Sequence, residues 1–216
     1  MKKNLTEMVF ILDRSGSMQG LESDSVGGFN SLIQKHKDVE GEALVSTILF
    51  DNVSEGIHDR APINQVSQMT AEQFQVRGCT ALLDAVGSAV KHISTIHKYI
   101  RDEDRPQHTV FAIMTDGMEN ASSQYTYDKV KSIIEEKEKQ GWQFIFLGAN
   151  IDAAKVGGRM GIKADHAVTF ANDSQGQQLN YEALSAATMD IRFCGEFIED
   201  KVFAKVRKYN KEKGTK

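Results

Sequence analysis

The run Val9-Phe10-Ile11-Leu12 leads straight into Asp13, and few folds accommodate such a segment. Successive side chains of a strand point to opposite faces, so four large apolar residues in a row need apolar cover on both sides. A strand inside a parallel sheet, layered between helices, supplies that cover. The theme returns at residues 109–115 (TVFAIMT), again followed at once by an acid, Asp116, and then by Gly117.

The rest of the chain alternates in the same way. Residues 19–38 carry Leu21, Ser25, Phe29, Leu32, Ile33 and His36 near helical spacing, although Gly27-Gly28 interrupts them. A close approach to the sheet would explain that pair. Residues 44–50 form a second buried strand, Asp51-Asn52 a turn, and 53–57 a returning hairpin strand. Residues 58–79 look irregular, with a short helix expected near Thr70. Residues 82–100 give the clearest amphipathic helix, striped by Leu82, Val86, Ala89, Val90, Ile93, Ile96 and Ile100. A helix near 126–140, stopped by Gly141, precedes an apolar strand at 142–147. Asp152 caps a short helix closed by Gly161, and 167–170 is a last short strand. A helix over 178–200 turns Leu184, Ala187, Ile191 and Ile198 inward, and residues 205–216 read as a basic, unpatterned, solvated tail. Strands alternating with helices imply βαβ units, right-handed crossovers and a mostly parallel, doubly wound α/β sheet. With no linker or repeat in view, residues 1–204 are expected to form one domain.

Composition narrows the function. At 40% hydrophobic and 26% charged the chain is ordinary for a globular protein, and a formal net charge of −4 provides no field for recruiting nucleic acid or anionic membrane. The start of the chain meets Glu7 before any run of about 7–15 apolar residues, and no window reaches the roughly 20 needed to span a bilayer. The expectation is a cytoplasmic monomer. Cys79 and Cys194 show no metal-ligand spacing and are expected as free thiols, Cys79 as a packed one. Of the six histidines, only His92 and His97 are close in sequence, and a separation of five does not share a helical face.

The chemistry gathers elsewhere. In Asp13-Arg14-Ser15-Gly16-Ser17, an extended turn can aim residues 13, 15 and 17 at one point. In open α/β sheets ligands bind beyond the carboxyl ends of the strands. Asp13 and Asp116 both follow strands there, and Thr80 precedes the long helix on the same edge. Each piece alone has a plainer reading as a turn or a cap; together they place five oxygen-bearing side chains on one edge. Oxygen ligands suit Mg²⁺, Mn²⁺ or Ca²⁺ and suit Zn²⁺ poorly. Asp84 is expected to cap its own helix, Glu119 to be solvated, and Asp24, Asp51 and Asp152 to serve turns and caps.

The pattern Asp-x-Ser-x-Ser at 13–17, then Thr80, then the strand-ending Asp116-Gly117, resembles the metal-ion-dependent adhesion site of von Willebrand factor A domains. The resemblance covers nearly the whole chain. It implies a Rossmann-like six-stranded sheet of order 3-2-1-4-5-6 with one antiparallel edge strand. It also implies a metal held by Asp13, Ser15, Ser17, Thr80 and Asp116, with Thr80 and Asp116 as alternative direct ligands. A partner protein's Glu or Asp would complete the shell, and a stand-alone domain of this kind suggests a prokaryotic source. The competing function is a Mg²⁺-dependent phosphoester hydrolase or phosphoryl-transfer enzyme using the same aspartates. Against it, Asp13-Arg14-Ser15 breaks the Asp-x-Asp pattern of dehalogenase-like phosphatases. Nucleotide-binding glycine motifs are missing as well.

Overall fold

The computed structural model of the chain describes residues 1–197 and 199–214. Its strands are β1 (Lys2–Asp13), β2 (Glu42–Phe50), β3 (Ser54–Pro62), β4 (Pro106–Thr115), β5 (Gln143–Ala149) and β6 (Ala167–Phe170). They lie in the order β3-β2-β1-β4-β5-β6. Every pairing is parallel except β2 with β3. The order expected from the family resemblance is the order found.

Side-chain alternation along the central strands sorts the core into two layers. Met8, Phe10 and Leu12 of β1, with Val110, Ala112 and Met114 of β4, pack under α1 (Glu22–Lys37) and, later in the chain, α5 (Ser174–Cys194). Val9, Ile11, Phe111 and Ile113 face the opposite layer, which contains α2 (Leu82–Tyr99), α3 (Tyr127–Lys139) and α4 (Ala153–Arg159). Gly28 sits in α1 where a Cβ would come within 2.3 Å of the Tyr181 ring, so the close approach is between α1 and α5, not between α1 and the sheet. Gly27 meets nothing within 4 Å.

Several boundaries differ from expectation, each for a physical reason. The irregular stretch after residue 57 begins with five more residues of β3; this edge strand is polar and has no apolar run to betray it. Near Thr70 there is only a turn, in which Gln73 and Phe74 both donate to the Thr70 carbonyl. Helix α5 starts four residues early because the Asp173 side chain accepts from Gly176 N and caps it. It ends at Cys194, short of the expected residue 200; Ile198, expected inward, lies outside the described residues, as does Lys216. A short α6 (Glu199–Val202) follows, and the tail from 205, expected to be unpatterned, folds into α7 (Ala204–Gly214). Buried Phe203 and Val206 belong to the same core layer as Val168 and Phe170, and α7 packs against β6. Tyr209 Oη donates to both carboxylate oxygens of Asp173 at 3.2 Å, and Lys213 pairs with it at 2.7 Å.

The two margins of the sheet are treated differently. Strand β3 pairs with β2 through two register shifts, carries Arg60 at φ +47°, and turns the Arg60 N–H inward onto Ser46 Oγ. Strand β6 is four residues long and lies beneath α7.

Candidate metal centre

Alternation also places Asp13. It follows Val9 and Ile11 on the α2 side of β1, and Thr115 follows Phe111 and Ile113 on the same side of the neighbouring β4. The Thr115 hydroxyl therefore reaches Asp13 Oδ2, at 2.5 Å, while Ser15 N donates to Oδ1 at 2.7 Å. Past the end of β1 the chain turns, and a relay of hydroxyls crosses the sheet edge. Thr80 Oγ1 donates to Ser15 Oγ at 3.0 Å, Ser15 and Ser17 hydroxyls meet at 3.1 Å, and Ser17 Oγ donates to Asp116 Oδ1 at 2.5 Å. With Ser17 committed as a donor to the carboxylate, Ser15 is the donor in the middle link. Each hydroxyl retains at least one lone pair for an outside ligand.

All five expected residues thus come together at the carboxyl end of the sheet. Asp13, Ser15, Thr80 and Asp116 are buried, while Ser17 and Gly16 face solvent, so the group opens on the Ser17 side. Gly117 closes one wall: a Cβ there would stand 3.2 Å from Ser17 Oγ and 3.3 Å from Thr80 Oγ1, inside the space the hydroxyls enclose. Burial pushes the Asp13 carboxyl up to about 6, against the hydrogen bonds from Thr115 and Ser15, with the nearby Asp116 charge adding to the rise. Burial also raises Asp116, opposed by Ser17 and Asn172.

Four acids are buried in this chain among the described residues: Glu7, Asp13, Asp51 and Asp116. Two of them have cations. Glu7 is paired with Arg60 at 2.6 Å and hydrogen-bonded to His97 Nε2 at 2.5 Å, and Asp51 is paired with Arg14 at 3.1 Å and Arg77 at 2.8 Å. Asp13 and Asp116 are paired with no cation among the described residues; only hydroxyls, amides and backbone N–H groups meet them. Two buried carboxylates with neutral oxygens between them fit a hard divalent ion. Among the described residues no group of three or more His, Cys, Asp or Glu is arranged to hold a metal; this candidate site relies on hydroxyls.

Supporting residues emerge that the sequence did not single out. Asn120 grips Thr80, accepting its N–H at 2.9 Å and donating its own N–H to the Thr80 carbonyl. Asn172 Nδ2 lies 3.5 Å from Asp116 Oδ2, and Asn150 Nδ2 donates to the Asp116 carbonyl. Loop asparagines carry no periodic signal, whereas Thr115 was readable as the position beside Asp13 once the strands were aligned. Glu119, expected solvated, accepts instead from the N–H groups of Leu83, Ala121 and Ser122, tying the start of α2 to the 119–122 turn. Asp84 caps not its own helix but the 123–125 turn. Burial opposes its charge, yet the N–H groups of Ser123, Gln124 and Tyr125 hold its carboxyl below the ordinary range. Asp152 caps α4 as expected, and Asp51 binds Val53 N in its turn while also pairing with buried Arg14 and exposed Arg77. Cys79, expected packed, is exposed; both cysteines are free. His92 and His97 serve different acids, Asp59 and Glu7.

No family model matches the sequence, and no curated protein matches it. Solved structures do match the fold. A von Willebrand factor type A protein from Catenulispora acidiphila aligns over 85% of this chain and 42% of its own, with a TM-score of 0.56 and 14% identity. Proximal thread matrix protein 1 of the mussel byssus aligns over 84% and 45%, with a TM-score of 0.55 and 13% identity in one crystal form. The fold is thus von Willebrand factor A-like, an α/β sheet of order 3-2-1-4-5-6 with helices on both faces. The chain spans less than half the length of these matched proteins. Among the described residues, no helix is long and apolar enough to cross a membrane.

Proposed function

We propose that this chain is a divalent-metal-dependent protein-binding module. Asp13, Ser15, Ser17, Thr80 and Asp116 would hold Mg²⁺ or Mn²⁺, with Ca²⁺ as a further candidate, and a Glu or Asp of a partner protein would complete the shell. The observation that carries this reading is the contrast among the buried acids: Glu7 and Asp51 have cations, whereas Asp13 and Asp116 meet hydroxyls and no cation among the described residues. A bound divalent ion supplies the missing positive charge and, with only two charged protein ligands, a position for an outside carboxylate. The chain's own part is to fix the oxygens: Thr115 and Ser15 N orient Asp13, Asn120 anchors Thr80, and the relay aligns Ser15 and Ser17 toward Asp116.

No observation favours the hydrolase alternative. Among the described residues no histidine hydrogen-bonds to any of the five; His36, His58, His92, His97 and His166 are engaged elsewhere. The test is calorimetric titration of Mg²⁺ and Mn²⁺ into chelator-treated protein and into Asp13→Asn. Saturable binding at one site, weakened at least about 100-fold in the variant, is the expected result. Equal binding by both proteins, or magnesium-dependent phosphoester turnover lost in Asp13→Asn, would replace the reading.

A further inference from the structure

At the amino end of the sheet, the full length of β4 away from Asp116, lies a second hollow. It is a cavity of about 590 Å³ between the last turns of α2 and α3, the start of β4 and the turn into β5. No aspartate or glutamate lines it, although acids outnumber lysine and arginine in the chain, 30 to 26. Four cations do: Lys91, Lys98, Arg105 and Lys137. Lys91 and Lys98 stand seven residues apart on α2, two helical turns, so they share one face. No carboxylate pairs with either among the described residues. Lys137 Nζ lies over the Trp142 ring at 5.4 Å, and its approach to the exposed Glu136 is long, 3.5 Å. Arg105 commits only Nη2, which donates to the His97 carbonyl and pairs with the exposed Asp102, both at 2.9 Å. Its Nε is buried with no hydrogen-bond partner among the described residues, and so is the hydroxyl of Ser94, which also lines the hollow. Ordinary causes cover part of this. Cations in the last turn of a helix offset its dipole, which accounts for Lys98 and Lys137. That cause does not reach Lys91 in the middle of α2, Arg105 on the approach to β4, or two unpaired buried donors around one cavity.

We propose that this hollow binds a small phosphate compound with two anionic groups, a diphosphate or a bisphosphate, and that Lys91, Lys98, Arg105 and Lys137 supply its counter-charges. The volume falls within the range of small-molecule sites. The donors suit phosphate oxygens: three lysines bring mobile point charges and one arginine a planar fork with donors to spare. Because the cations come from α2, α3 and the start of β4, a single phosphate would engage only part of the set. The hollow shares no residue with the oxygen site at the other end of the sheet, so the two assignments stand or fall separately.

Trp142 is the only tryptophan of the chain and lines the hollow, so its fluorescence reports occupancy there. Full-length protein, freed of metal by chelator and then desalted, is titrated with potassium diphosphate at constant ionic strength and followed by Trp142 fluorescence and calorimetry. Saturable binding at one site is expected by both readouts, with methyl phosphate at least about tenfold weaker. The double variant Lys91→Gln/Lys98→Gln should weaken diphosphate binding at least about tenfold. Both lysines are exposed and glutamine matches lysine in helix propensity, so the unliganded variant should melt as the wild type does. A titration without saturation, or an equal response to sulfate at the same ionic strength, overturns the proposal. Diphosphate affinity retained in the double variant does so too. Tighter binding of the acidic peptide acetyl-Asp-Glu-Asp-amide than of diphosphate would overturn it by assigning the hollow to a protein partner.

Discussion

Asp13 is held in two conflicting ways. Its hydrogen bonds are those of a well-ordered carboxylate, yet burial and the neighbouring Asp116 charge work against its ionisation. Without an ion, the protein near neutral pH bears the cost of that charge. Asp13→Asn keeps an acceptor for Ser15 N and can donate to Thr115, so it is expected to stabilise metal-free protein by on the order of 1–3 kcal/mol. On the proposed metal reading, adding magnesium should raise the melting temperature of the wild type, and the same variant should abolish that rise. Urea denaturation with and without chelator measures both effects, and a destabilised variant would contradict the argument. His36 presents a different titration. Arg192 Nη1 donates to its Nδ1 at 3.0 Å, which leaves Nε2 to donate to Thr188 Oγ1 at 2.9 Å. Burial, reinforced by the Arg192 charge, lowers its pKa to about 3. Below about pH 6.5 the unfolded chain takes up a proton at this residue that the folded chain refuses. Stability should therefore fall with pH between about 6 and 3, by up to about 1.4 kcal/mol per unit from this residue alone. Denaturation midpoints measured against pH for wild type and His36→Gln should diverge in that window and run parallel above pH 7.

Adjacent glycines in α1 offer a controlled comparison at the level of elements. A Cβ at Gly28 would enter the Tyr181 ring of α5, and Gly28→Ala is expected to cost about 1–3 kcal/mol through forced repacking. Gly27→Ala meets open space in the same helix and should stabilise by about 0.5–1 kcal/mol through helix propensity. Thermal melts of the two single variants should move in opposite directions. Elements were legible in the sequence wherever burial imposed a pattern. The apolar runs of β1 and β4 and the stripe of α2 appeared because both faces, or one full face, are covered. Strand β3 was cut short because an edge strand with charged residues has no such pattern. The oxygen site was legible for the related reason that its two acids end the most readable strands and Thr80 precedes the most readable helix; Asn120, Asn150 and Asn172 were not, because they reach it from loops whose course only the folded chain defines.

Across the whole molecule, the part least visible in the sequence is the C-terminal helix pair. Lysines dominate α7, and its contribution to the core rests on Phe203, just before it, and Val206. Phe203→Ala should cost about 3–5 kcal/mol and raise hydrogen exchange in β6, a result that tests whether α7 is integral to the sheet or merely laid upon it. Its position has a further consequence. An open sheet ordinarily has two margins at which a foreign strand can add, and here neither is a long, regular strand. Charges, register shifts and the inward-turned Arg60 amide blunt β3, while α7 covers the short β6. Short or irregular margins of this kind disfavour recruitment by strand exchange and growth into fibrils. An association that uses neither margin would fall to the loop end and the helix faces, where a partner could arrive and leave without either chain refolding.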